Sequence, residues 1–96
     1  MKRVRVVISG RVQGVWFRGW MEQQAVRRGL DGWVRNCRDG SVEAVFQGED
    51  AVVDAMIEAC RDGPQFAAVT GVEQHSYDEP VAPGFVVRPR GQYQQS

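Results

Sequence analysis

Ninety-six residues, 43% hydrophobic and 25% charged, suit one soluble globular domain, expected over residues 1–90 with a frayed tail at 91–96. The formal net charge is zero, no apolar run approaches the length of a membrane span, and Lys2, Arg3 and Arg5 precede no continuous hydrophobic segment of signal-peptide length. These features exclude a disordered or multi-domain chain and point to a cytoplasmic location, with Cys37 and Cys60 reduced.

The charge is unevenly distributed. Residues 1–38 hold nine Lys/Arg and two Asp/Glu, whereas 39–96 hold three and ten. An interleaved fold would set the two segments side by side and cancel much of the field, leaving only a local cationic excess.

In chain order, Val4, Val6 and Ile8 alternate with Arg3, Arg5 and Val7, the pattern of a half-buried strand. A loop punctuated by Gly10 and Gly14 leads into Phe17, Trp20, Met21 and Ala25 at helical spacing, which predicts a helix over 16–28 stopped by Gly29. A strand follows at 32–37. Asp39-Gly40 marks a tight hairpin into a second alternating run, Val42, Ala44 and Phe46. Val52, Val53, Met56, Ile57 and Cys60 share one face of an amphipathic helix over 50–61, which Gly63-Pro64 ends. Residues 67–77 form a weaker strand candidate, and Gly84–Arg88 a short final one between Pro83 and Pro89. The order βαββαβ predicts an α+β, ferredoxin-like split βαβ fold: an antiparallel sheet of four to five strands with two helices on one face.

That fold hosts many functions, so chemistry has to come from particular residues. A loop entering a helix N-terminus presents backbone N–H groups without intrahelical partners at the positive end of the macrodipole, a natural seat for phosphate. Arg18, in that first turn, is mildly repelled by the dipole unless an anion sits there too. The loop lacks Walker A spacing, with its Lys and hydroxyl, which argues against nucleoside triphosphates. With one histidine, two distant cysteines and no carboxylate cluster, no metal site and no cofactor are expected. His75 reads as a solvated strand residue, and Cys37 and Cys60 as packing residues. Two polar residues remain. Arg18 alone would pass for a surface residue, and Asn36, at a strand end, for part of the Asp39-Gly40 turn. Phe17, Trp20 and Trp33 are expected in the core, with Trp16 partly exposed.

Taken together, Gly10-Arg11-Val12-Gln13-Gly14-Val15-Trp16-Phe17-Arg18 and Gly32-Trp33-Val34-Arg35-Asn36-Cys37-Arg38-Asp39-Gly40-Ser41-Val42-Glu43 resemble the two signatures of the acylphosphatases, G-x-V-Q-G-V-x-F-R and G-W-V-x-N-x-x-D-G-x-V-E. The likeness covers roughly residues 3–90. It implies metal-independent hydrolysis of the carboxyl-phosphate bond of acyl phosphates. Arg18 matches the family's phosphate-binding arginine and Asn36 its water-positioning asparagine, while the backbone amides of Gln13, Gly14, Val15, Trp16 and Phe17 match its phosphate cradle. A small-molecule acyl phosphate would be the partner of a monomer, with inorganic phosphate as product and competitive inhibitor and no nucleic acid or membrane involved. Met21 stands where the family commonly has threonine, and Arg28 where it commonly has leucine.

Two other functions fit parts of the chain. Ferredoxin-like sheets can stack RNA bases, but here the aromatics fall mostly at helix or core positions. A phosphate-recognising domain of a hydrogenase-maturation protein would need further domains for which 96 residues leave no room.

Overall fold

The computed structural model describes residues 1–91. Its elements are β1 (Lys2–Arg11), α1 (Phe17–Arg27), β2 (Asp31–Asn36), β3 (Val42–Gly48), α2 (Asp50–Asp62), β4 (Ala68–Ser76) and β5 (Phe85–Val87). The strands form one sheet in the order β4-β1-β3-β2-β5.

Alternation decides which side of each strand is covered. Val4, Val6 and Ile8 of β1, Val34 of β2 and Val42, Ala44 and Phe46 of β3 meet the helices in a single core. Phe17, Met21 and Ala25 of α1, spaced by four, and Val53, Met56, Ile57 and Cys60 of α2 close it from the other side. Met21 is fully buried, so the thioether fills core volume where a threonine hydroxyl would need a partner. Arg28, at the end of α1, folds back so that its Nη1 donates to Gln24 Oε1 at 2.6 Å.

The sheet departs from the antiparallel arrangement expected. β5 pairs in parallel with β2, Gly32 opposite Phe85 and Val34 opposite Val87, so the sheet is mixed. The cause is the path of the chain. β4 runs antiparallel to β1 along one edge, and residues 77–84 then cross beneath the sheet to enter the far edge alongside β2 in β2's own direction. Beyond β5 the chain keeps to β2: Arg88 N–H donates to the Val34 carbonyl at 2.8 Å, and Gly91 N–H to the Asn36 carbonyl at 3.0 Å. Gly91 is held by that bond, and the rest of the 91–96 tail expected to fray lies outside the described residues.

Trp33 is buried, but not in the core with the helices. It lies on the helix-free face, edge-on to Tyr77 at 6.4 Å and under the guanidinium groups of Arg88 (4.4 Å) and Arg35 (5.2 Å). On the same face Glu43, 1% exposed, accepts from Arg5 Nη1 at 3.2 Å and Arg35 Nε at 2.8 Å. Arg3 reaches the carbonyls of Asp78 and Glu79, and Lys2 pairs with Asp54 at 2.6 Å. The basic and acidic segments are thus interleaved, which disperses the asymmetry seen along the chain.

Candidate active site

β1, β2 and β5 run in the same direction, and their C-terminal ends lie at one end of the sheet, where the loop from Val12 to Trp16 crosses into α1. A cleft of about 290 Å³ opens there. Its polar walls come from Arg18 and Asn36, the second residue of α1 and the last of β2.

Two glycines shape the loop. β1 is bulged between Ser9 and Gly10, where φ is +118° and any Cβ would collide with the Ala68 carbonyl and Thr70 nitrogen of β4. Gly14, at φ +76°, lines the cleft with open space where a side chain would stand, so backbone faces the cavity directly.

The loop ends on Trp16, the N-cap of α1, which makes no side-chain cap; no acidic residue sits in the first turn. Trp16 has φ 67° and ψ 26°, a left-handed conformation costing about 1–3 kcal/mol for a residue with a Cβ. Among the described residues, none accepts a hydrogen bond from the backbone N–H of Gln13, Gly14, Val15, Trp16 or Phe17. None engages the half-buried guanidinium of Arg18 either. Among the described residues, five amides and a cation thus have no partner beside one helix terminus, where dipole and charge both favour an anion.

Asn36 closes the cleft from the last residue of β2. It is 6% exposed, and its Oδ1 is buried without a hydrogen-bond partner among the described residues. A buried amide oxygen left unpaired costs about 1–3 kcal/mol, so its presence on a residue that lines the cleft calls for an explanation. The Asp39-Gly40 turn does not supply one. That turn is held by Asp39 Oδ1, which accepts from Ser41 N–H at 2.9 Å and from its hydroxyl at 2.6 Å; the hydroxyl hydrogen bond lowers the Asp39 pKa below its ordinary value. Asn36 is spare to the turn.

The matched residues do not all face the cavity. Gly14, Trp16, Phe17, Arg18 and Asn36 line it; the side chains of Gln13 and Val15 do not. Val15 packs against the core, while Gln13 Nε2 donates to the carbonyls of Cys37 and Ser41, both at 2.8 Å. Val12, Gly19 and Val87 complete the walls. Nothing local in the sequence marks Val87, which arrives only through the parallel pairing of β5.

A family model described as Acylphosphatase matches residues 4–87. The chain belongs to the acylphosphatase family. An acylphosphatase of Rhodospirillum rubrum is 51% identical over 93% of this chain and 98% of that protein. One of Rubrobacter xylanophilus is 53% identical over 91% and 80%. The crystal structure of the Bacillus subtilis acylphosphatase superposes with a TM-score of 0.86 at 32% identity, covering 92% of this chain and 99% of that one. Among its described residues, this acylphosphatase chain has no group of three or more His, Cys, Asp or Glu arranged to hold a metal ion and no helix long and apolar enough to cross a membrane.

Proposed function

We infer that this chain is an acylphosphatase that converts an acyl phosphate and water into a carboxylate and inorganic phosphate, with Arg18 and the loop amides holding the phosphoryl group and Asn36 holding the water. The observation that carries the assignment of roles is that Asn36, spare to its own turn, lines the same cleft as Arg18.

Phosphoryl transfer asks a protein mainly for positioning and charge stabilisation. The non-bridging phosphoryl oxygens would accept from the amides of Gln13 to Phe17 and from the forked guanidinium of Arg18, which suits two oxygens at once. The side-chain amide of Asn36 would hydrogen-bond the water and aim the water oxygen's lone pair at phosphorus. The new P–O bond forms as the bond to the acyl oxygen breaks, and the electron pair leaves on the carboxylate. One water proton passes to a phosphoryl oxygen, giving dihydrogen phosphate, which releases a proton to solvent to become hydrogen phosphate. A carboxylate leaves readily without a general acid, which is why a site with neither His nor a carboxylate pair can serve.

The same reading makes the reaction metal-independent and inorganic phosphate a competitive inhibitor, since phosphate would occupy the seat of the phosphoryl group. The chain would act as a monomer, because one copy supplies every residue of the site. Two free, buried cysteines support a cytoplasmic setting. One continuous core from Val4 to Phe85 supports a single domain over 1–90. Hydrolysis of benzoyl phosphate by the purified chain in excess chelator, inhibited competitively by phosphate, tests the assignment. A folded protein that leaves benzoyl phosphate intact would refute it.

A further inference from the structure

The reading above accounts for the polar end of the cleft and leaves the acyl group of the substrate undefined. Past Arg18 and Asn36 the side-chain walls are apolar: Val12, Phe17, Trp16 and Val87. Val12 and Phe17 belong to the buried core, whereas Trp16 is 60% exposed and Val87 39%. A large indole left in solvent at the mouth of a small cleft loses the burial that normally secures a tryptophan.

Its placement is doubly enforced. Trp16 is the only non-glycine residue of positive φ among those described, and its ring lies where a side chain at position 19 would have to be. A Cβ on Gly19 would strike Nε1, Cε2 and Cδ1 of the indole. Gly19 sits inside α1, where glycine weakens a helix, yet there it admits the ring against the backbone. An unusual backbone conformation and a helical glycine together hold one flat apolar face beside the phosphate seat.

Resting on the acylphosphatase reading, we propose that Trp16 is a specificity-determining residue. Its indole, with Val87, is a shelf for a flat apolar acyl group, and the enzyme favours aryl over short alkyl acyl phosphates. Small-molecule sites commonly combine such apolar walls with a few convergent polar groups. Offset stacking of an aryl group on the ring would supply binding that an acetyl group cannot.

The test compares kcat/KM for benzoyl phosphate and acetyl phosphate in the wild-type chain, Trp16→Gly, Trp16→Phe and Val87→Ser. Glycine accepts the left-handed conformation, so Trp16→Gly removes the shelf and relieves the backbone. The benzoyl-to-acetyl ratio is expected to fall about tenfold in Trp16→Gly, a pocket effect of ordinary size. Phenylalanine should largely retain the ratio, and Val87→Ser, on the other exposed wall, should lower it without touching the loop. A ratio unchanged in both Trp16→Gly and Val87→Ser would overturn the shelf while leaving the acylphosphatase reading intact. Failure of the wild-type chain to hydrolyse either substrate would overturn both.

Discussion

Gln13 Nε2 donates to the Cys37 carbonyl at 2.8 Å, which fastens the loop at the start of α1 to the residue next to Asn36. The same nitrogen reaches the Ser41 carbonyl at 2.8 Å, and Arg90 Nη1 donates to both Gln13 Oε1 and the Cys37 carbonyl at 3.1 Å. The loop, the β2–β3 turn and the segment beyond β5 are therefore joined at one point. On the proposed reading Gln13 would have a second role beside its amide, keeping the proposed phosphate seat in register with Asn36.

Replacing Gln13 with alanine should loosen that register. The expected cost is about 1–3 kcal/mol in urea unfolding, together with a fall in kcat for benzoyl phosphate. Arg90→Ala, which leaves the two Gln13 bonds in place, should do less on both counts. Equal stability and turnover in Gln13→Ala and wild type would show that the link positions nothing.

Arg18→Ala would remove the proposed charged partner of the phosphoryl group and should chiefly weaken binding. A charge-assisted hydrogen bond of about 1.5–3 kcal/mol corresponds to roughly a 10- to 150-fold rise in the inhibition constant of phosphate. Arg18→Lys keeps the charge but not the fork and should fall between. Competitive inhibition kinetics with inorganic phosphate read the series directly.

Glu43 is the last residue of the second signature, yet it faces away from the cleft and sits between Arg5 and Arg35 on the helix-free side of the sheet. Removing one member of a buried charge cluster typically costs about 3–5 kcal/mol, because the remaining charges stay desolvated. Glu43→Ala should therefore lower the urea midpoint far more than Glu58→Ala, whose carboxylate pairs with Arg61 in solvent.

Burial pushes the Cys60 thiol up to about 12 from an ordinary 9.0. In the unfolded chain the thiol ionises near its ordinary value, whereas the fold holds the proton, so ionisation favours unfolding. The contribution of Cys60 to stability is whole below pH 9 and is lost as pH rises toward 12, by about 1.4 kcal/mol per unit. Urea midpoints measured across that range should fall more steeply for wild type than for Cys60→Ala.

Much of the architecture follows from local pattern. The Asp39-Gly40 turn, the spacing of Val53, Met56, Ile57 and Cys60, and the alternation of Val4, Val6 and Ile8 each specify their element by chemistry confined to a few residues. What escaped depends on contacts distant in sequence. β5 has three residues, and its parallel partner is set by the path of 77–84 around the sheet. Trp33 is as apolar as a core residue should be, but its strand parity turns it to the arginine-covered face. The helix expected to begin at Trp16 begins at Phe17, because Trp16 keeps a left-handed backbone that helical spacing of apolar residues cannot reveal. That Arg18 and Asn36 belong together was more legible, since they lie in two long signatures, and the fold sets both on one cleft. The Gln13 link was not, because its acceptors are backbone carbonyls and carry no sequence mark.

The division of labour between Arg18 and Asn36 is tested most directly by Asn36→Ala, assayed with benzoyl phosphate in chelator alongside phosphate binding. Binding of phosphate should stay near the wild-type value while kcat falls about 100-fold or more, the scale expected when a reactant is no longer held in line. A folded Asn36→Ala chain that turns over benzoyl phosphate at the wild-type rate would contradict the account.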